Sequence, residues 1–285
     1  MVKFLIIGDL HGQKPKIHYK DFDAIIAPGD FCSDSSKSIM FEEVKIRLKN
    51  PNSKIRWYDI TGRKEARKIV NQSISDGREI LEYLNSQGVP VFIVPGNWDW
   101  TSERDAEWAF LNQDHYQKLI DGLGNIISIH NKDVNFQNYS FIGYGTSCGP
   151  EFPQYESDLA RFNKRELAKK KRDYLAELKK LEKLFRESTS PVLFLSHNVP
   201  FNTTLDQIVN PNSPRNGQHF GSLISRQLID KYQPLVCIGG HMHEHFGKDK
   251  IGKTTVINAG FGSNVNTYLE LEGNKIVKLE FYKGK

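Results

Sequence analysis

Five separate apolar runs in this chain finish on Asp, Asn or His. Residues 2–8 (VKFLIIG) lead into Asp9 and His11, and residues 24–28 (AIIAP) into Asp30. Residues 89–94 (VPVFIV) lead into Asn97 and Asp99, residues 191–195 (PVLFL) into His197, and residues 235–238 (LVCI) into His241 and His243. Continuous apolar runs of this length suit strands buried on both faces, so they need a layer of structure on each side. Such a chain is long enough, at 285 residues, to build that core.

Helical patterns lie between the runs. Across residues 61–87, Ile69, Val70, Ile74, Gly77, Leu81 and Leu84 recur at three- and four-residue steps. Thr61 is the expected N-cap and Gly88 the expected stop. Strands alternating with helices predict an α/β sheet. Residues 139–144 (YSFIGY) read as a further strand. Residues 254–258, 268–271 and 275–282 then read as strand after strand, with Gly273 and Asn274 as a hairpin turn. The sheet content is therefore mixed.

A single domain over residues 1–285 is expected, with additions near 34–67 and 156–190. The first addition is polar and poorly periodic. In the second, Leu167, Tyr174, Leu178, Leu181 and Phe185 form one helix face. Residues 161–186 hold eleven Lys or Arg against four Asp or Glu, a net of +7, whereas the whole chain carries +5. The rest is near neutral. This face reads as solvated, with a nucleic-acid or partner surface as the alternative. Its apolar stripe either covers its own core or pairs with a second copy in a homo-oligomer.

The apolar start is too short for a signal peptide, Asp9 interrupts it, and no stretch reaches membrane-spanning length. The three cysteines, Cys32, Cys148 and Cys237, lack CxxC spacing. These features predict reduced thiols and a cytoplasmic protein with no membrane partner.

In open α/β sheets, ligands bind beyond the carboxyl ends of the strands. Asp9, His11, Asp30, Asn97, His197, His241 and His243 would all converge there. They are oxygen and imidazole donors without a thiolate, a set that suits Mn, Fe, Zn or Ni. Seven ligands exceed one ion and fit two sharing a carboxylate, the arrangement of phosphoryl-transfer sites. His245 reads as a neighbour of the site or a solvated residue. His18, His115 and His130 fall outside every motif and read as structural, and Cys32 as a packed residue.

The order D-x-H, G-D, G-N-x-D, H, G-H-x-H resembles the calcineurin-like metallophosphoesterase superfamily, from Asp9 to His243 and on through residues 254–260. The resemblance implies a four-layer α/β/β/α sandwich of two mixed β-sheets flanked by helices. It implies two divalent transition-metal ions, Mn first among the candidates. Asp9, His11, Asp30 and His243 would hold one. Asp30, Asn97, His197 and His241 would hold the other, with Asp30 bridging. It further implies a bridging hydroxide attacking phosphorus in line. Asn97 would ligate without adding charge, and Gly96 would let the backbone turn.

The chain departs from that pattern at Trp98, where many members carry a His that helps protonate the leaving group. Indole is a donor only and does not titrate. Loss of general acid catalysis removes roughly 10²–10⁴-fold for poor leaving groups, which leans the reading toward phosphodiesters, activated esters and nucleotides. Residues 211–222 hold a substitute: Arg215 for a phosphate oxygen and His219 as proton donor, beside a helix N-terminus near Ser222 that favours anions. The other reading of that loop is a solvated turn. Trp98 and Trp100 either stack an aryl group or pack the site. The expected activity is two-metal phosphoester hydrolysis with Asp30, Asn97, Arg215 and His219 as catalytic residues. A nuclease using residues 161–186 and a non-catalytic metal-binding scaffold are the alternatives.

Overall fold

The computed structural model describes residues 1–50, 53–102, 107–211, 213 and 215–284. The first sheet is built from β1 (Val2–Ile6), β2 (Ala24–Ala27), β3 (Val91–Ile93), β4 (Ile126–Ser128), β11 (Val265–Glu272) and β12 (Lys275–Lys283), in the order β12-β11-β1-β2-β3-β4. The second comprises β5 (Asp133–Phe136), β6 (Tyr139–Tyr144), β7 (Val192–Asn198), β8 (Val236–Gly240), β9 (Gly247–Ile251) and β10 (Thr254–Asn258), in the order β5-β6-β7-β8-β10-β9. Both are mixed. β1 to β4 run parallel while β11 and β12 are antiparallel; β6, β7, β8 and β10 run parallel while β5 and β9 are antiparallel.

Alternation along each buried strand builds the layers. On β1, Phe4 and Ile6 enter the core between the sheets with Phe92, Phe141, Leu195, Ile238 and Ile257. Leu5 on β1 faces the other way, into a core with Ala66, Val70, Ile80, Leu81 and Leu84 of α3 (Arg63–Asn85). On the far side, Phe194 and Cys237 pack with Tyr174, Leu181 and Phe185 of α6 (Lys164–Glu187) and with Ile224, Leu228 and Ile229 of α7 (Leu223–Tyr232). The result is the expected helix, sheet, sheet, helix stack. The stripe on α6 covers its own sheet. Outside it, Lys169, Lys180 and Lys183 pair with Asp173, Glu177 and Glu187 of the same helix.

Residues 34–67 are more helical than their pattern suggested. They hold α1 (Lys37–Lys49), α2 (Trp57–Ile60) and the start of α3. Only Glu43 of α1 is buried, accepting from the Trp57 N–H at 2.9 Å, while Phe41, Val44 and Leu48 are exposed. Ile39 and Met40 pack against the first core only partly buried, too narrow an apolar face to impose a period. Thr61 closes α2 rather than opening α3, whose N-cap is Gly62, and α3 ends before Gly88. Two short helices, α4 (His115–Ile120) and α5 (Glu156–Leu159), complete the chain. Among the described residues, no helix is long and apolar enough to cross a membrane.

Candidate metal centre

The loops after β1, β2 and β3 of the first sheet, the carboxyl end of β7 in the second, and the loop after β8 meet at one edge. There Asp9, His11 and His243 form one group of converging donor atoms, and Asp30, His197 and His241 another; within each group the atoms lie within 4.8 Å of one another. Each group draws on both sheets. Asn97 joins the second, its Oδ1 lying 3.0 Å from His197 Nε2. In the first, His11 Nε2 and His243 Nε2 face each other at 3.3 Å.

Asp30 stands between the groups. Its Oδ2 is 3.6 Å from His11 Nε2 and 3.5 Å from His197 Nε2. Its Oδ1 accepts the Trp98 N–H at 2.8 Å, which leaves Oδ2 as the atom aimed at both groups.

The backbone is bent to make this convergence. Asp9, His11, Asp30 and His241 all have positive φ, at 47°, 45°, 56° and 66°. Asp and His tolerate this left-handed region better than most residues, yet each such residue stores of order 1–3 kcal/mol of strain, and strain of this kind clusters at functional sites. Gly96 has a different role from the expected turn. Its φ is not positive; a Cβ there would stand 2.1 Å from Asp30 Oδ1, so Gly96 is bare to admit Asp30. Gly240 does the same for Asp9, with a Cβ position 2.2 Å from Asp9 Oδ2.

Outer contacts fix the rings. His197 Nδ1 donates to the Pro28 carbonyl at 2.7 Å, which turns its Nε2 to the site. His241 donates to the backbone of Cys148. Asp9 Oδ2 accepts the His241 N–H at 2.7 Å. Burial pushes His11 down to about 3, and His197 and His243 to about 4; it takes His241 well below the usual imidazole range, with neighbouring imidazoles adding to the effect. All four rings are therefore neutral with lone pairs to give. Burial, then the charge of Asp30, raises Asp9 well above the ordinary carboxylate range. Asp9 Oδ1 is buried without a hydrogen-bond partner. Neutral imidazoles, crowded carboxylates and an orphaned carboxylate oxygen are the donor set that divalent cations fit.

Asp99 is buried and makes the contacts that hold two loops together. Its Oδ2 accepts the N–H groups of Asp30 (2.8 Å) and Gly96 (2.7 Å), and its Oδ1 those of Phe31 (2.8 Å) and Cys32 (3.0 Å). Burial and the nearby Asp30 raise it to about 6. Four donors on one carboxylate could not be read from the sequence.

The loop singled out for phosphate contact is engaged internally. Both Nη atoms of Arg215 fork onto Asp158, at 2.9 and 2.5 Å, and the guanidinium lies over the Phe220 ring. This departs from the expected bidentate phosphate contact, because a carboxylate already fills the fork. The α7 N-terminus is likewise occupied: Glu151 accepts the Leu223 and Ile224 N–H groups at 2.8 and 3.2 Å and the Ser222 hydroxyl at 2.6 Å. His219 gives its Nδ1 to the buried Asp206 at 2.7 Å. It is half-buried, one residue before Phe220, whose carbonyl accepts the amide of Asn198 next to His197.

Trp100 belongs to the core, 1% exposed, with its indole N–H on Ser73 Oγ at 3.0 Å. His115 donates to the Phe110 carbonyl, His130 accepts the Gly145 N–H, and His245 donates to the Gln207 carbonyl. His18 stacks near Tyr282.

A family model described as calcineurin-like phosphoesterase matches residues 2–245. An uncharacterized protein of Methanocaldococcus jannaschii is 28% identical over 189 residues, 64% of this chain and 70% of that protein. A crystal structure superimposes with a TM-score of 0.62 at 18% identity, covering 99% of each chain. The crystal structure of TT1561 of Thermus thermophilus gives a TM-score of 0.53 at 16% identity, covering 99% of this chain and 98% of that one. At these identities the structures attest the shared fold.

Proposed function

Since the chain belongs to the calcineurin-like phosphoesterase family, whose members are metal-dependent hydrolases, we propose that it hydrolyses phosphodiesters, nucleotide-type or activated, at this centre. The observation that carries the reading is Asp30 Oδ2, placed within 3.6 Å of one donor group and 3.5 Å of the other. Asp9, His11, Asp30 and His243 would hold one ion, and Asp30, Asn97, His197 and His241 the second, with Mn, Fe, Ni or Zn suited to these donors. Two such ions supply Lewis acidity and lower the pKa of coordinated water toward 7.

The chain's own residues set the rest. His197 and His241 are oriented by the Pro28 carbonyl and the Cys148 backbone, so their free lone pairs point inward. Asn97 contributes an oxygen without charge, which leaves the centre net positive toward a phosphoryl group once loaded. The Trp98 indole N–H does not titrate, so leaving groups that depart unprotonated are favoured. His219 is the candidate for residual proton donation: Asp206 fixes its Nδ1–H, leaving Nε2 to exchange. Arg215 is assigned to holding that loop through Asp158. The three cysteines are free thiols, which supports a cytoplasmic setting.

Turnover of bis-p-nitrophenyl phosphate and p-nitrophenyl phosphate with added Mn²⁺, beside Asp30→Ala, tests this. Diester turnover should exceed monoester turnover and vanish in the variant. Monoester preference would refute the diester assignment and make His219→Ala the next comparison. Two equivalents of metal bound with neither ester cleaved would favour the scaffold reading.

A further inference from the structure

Two aromatic rings flank the first donor group without donating to it. The Phe261 ring lies nearly parallel to His243, centroids 4.2 Å apart at 22°, and 5.5 Å from His11. The Trp98 ring stands edge-on to His11 at 6.3 Å. Their surroundings differ from those of the core aromatics. Phe261 is 38% exposed and Trp98 half-buried, while Trp100 two residues on is buried in the core.

The loop that carries Phe261 is anchored. Gly260 and Gly262 take positive φ (77° and 89°) on either side of it, and the Gly262 N–H donates to the Asp9 carbonyl at 3.1 Å. A Cβ at residue 260 would strike Phe246 at 2.7 Å and Val265 at 2.8 Å. The backbone thus holds a large apolar ring at the mouth of a polar centre, partly in water. Pockets that bind small molecules combine such apolar walls with a few convergent polar groups.

We propose that Phe261 and Trp98 receive a flat aromatic ring on the substrate, so that the preferred phosphodiester bears an aryl group or a nucleobase on the side that is not expelled. This rests on the phosphodiesterase reading above. The rings supply stacking, so selection is for flatness. Trp98 then replaces proton donation with substrate holding.

Three esters with the same p-nitrophenolate leaving group test it: methyl, phenyl and thymidine-5′ p-nitrophenyl phosphate, assayed with the Mn²⁺-loaded enzyme. The phenyl or thymidine ester should exceed the methyl ester about tenfold in kcat/KM, the scale of one stacked ring. Phe261→Ala should remove most of that advantage through KM, with methyl-ester turnover and bound metal unchanged; Trp98→Ala should do so independently. Loss confined to the thymidine ester assigns a nucleobase, and loss confined to the phenyl ester a simple aryl group. An unchanged ester ratio in both variants overturns the proposal. So does an equal fall on all three esters with lost metal, which would make Phe261 only a support for His243. Wild-type protein inactive on all three would overturn the phosphodiesterase reading itself.

Discussion

Asp99 holds Asp30 by its backbone N–H at 2.8 Å, and Asp30 in turn takes the N–H of Trp98 at 2.8 Å. One buried carboxylate therefore positions another that faces both donor groups, and the residue between Asn97 and Asp99 contributes through its backbone whatever its side chain.

Asp99→Asn should weaken this arrangement. An amide has one accepting oxygen and turns its NH₂ toward two of the four donors. The expected cost is about 1–3 kcal/mol in denaturant unfolding of metal-free protein, with metal affinity down about 10–100-fold by calorimetric titration. Unchanged affinity would show that Asp99 does not set the ligand loops.

Gly96→Ala should be worse for the site than for the fold. Its new methyl would meet Asp30 Oδ1 at 2.1 Å and Asp30 N at 2.4 Å, and moving them disturbs the bonds to Trp98 and Asp99. Metal content and diester turnover should each fall at least about tenfold, a barrier change of roughly 1.4 kcal/mol. Gly124→Ala, with nothing within 4 Å of its Cβ position, serves as the control and should match the parent.

Metal loading should stabilise the protein by mass action. At about 100 times its dissociation constant, a ligand that binds only the folded state adds about 2.7 kcal/mol, or roughly 5–10 °C in a chain of this size. Chelator-treated protein should melt lower by that order in differential scanning calorimetry and recover on Mn²⁺ addition. Identical melting with and without metal would contradict the donor groups as a metal centre.

The metal-free protein should lose stability in mild acid. His11, His197, His243 and His241 lie below their unfolded value of 6.5 because they are buried. Above pH 6.5 neither state protonates them. As pH falls from there toward 4, the unfolded chain binds protons that the folded chain refuses, so the folded state is penalised. Asp9, Asp99 and Glu151 are raised and act in the opposite sense, but three carboxyls face four rings. Each uncompensated ring is worth up to about 1.4 kcal/mol per pH unit. Thermal midpoints of chelator-treated protein should drop between about pH 7 and about pH 5; a flat or rising profile would contradict the neutral-ring assignment.

The donor residues were legible because each follows an apolar run that only a doubly covered strand explains. The same logic missed β4, β5 and β9. These are short and partly exposed, and β5 and β9, read as DVNF and GKDKI, have no apolar stretch to find. Helix α1 was illegible for the same reason, since only Glu43 is buried along it. Pairings across the chain were the other blind spot. Arg215 and Asp158 are 57 positions apart, and nothing local tells a phosphate-seeking arginine from one already bound. Phe261 left no signal either: its significance is its distance from His243, which exists only after folding.

Each donor group takes ligands from both sheets, and in the first group the two contributions come from nearly opposite ends of the chain. His11 faces His243, and Asp9 holds His241, at sequence separations of 232 residues. An ion seated there would close a loop that long, much as a covalent bridge does. The entropy removed from an unfolded chain grows only slowly with loop length, yet a loop of this size lies at the favourable end of that scale. The metals would then serve as reversible cross-links, so the supply of metal to the nascent chain would govern how tightly the loops after β1 and β8 stay joined.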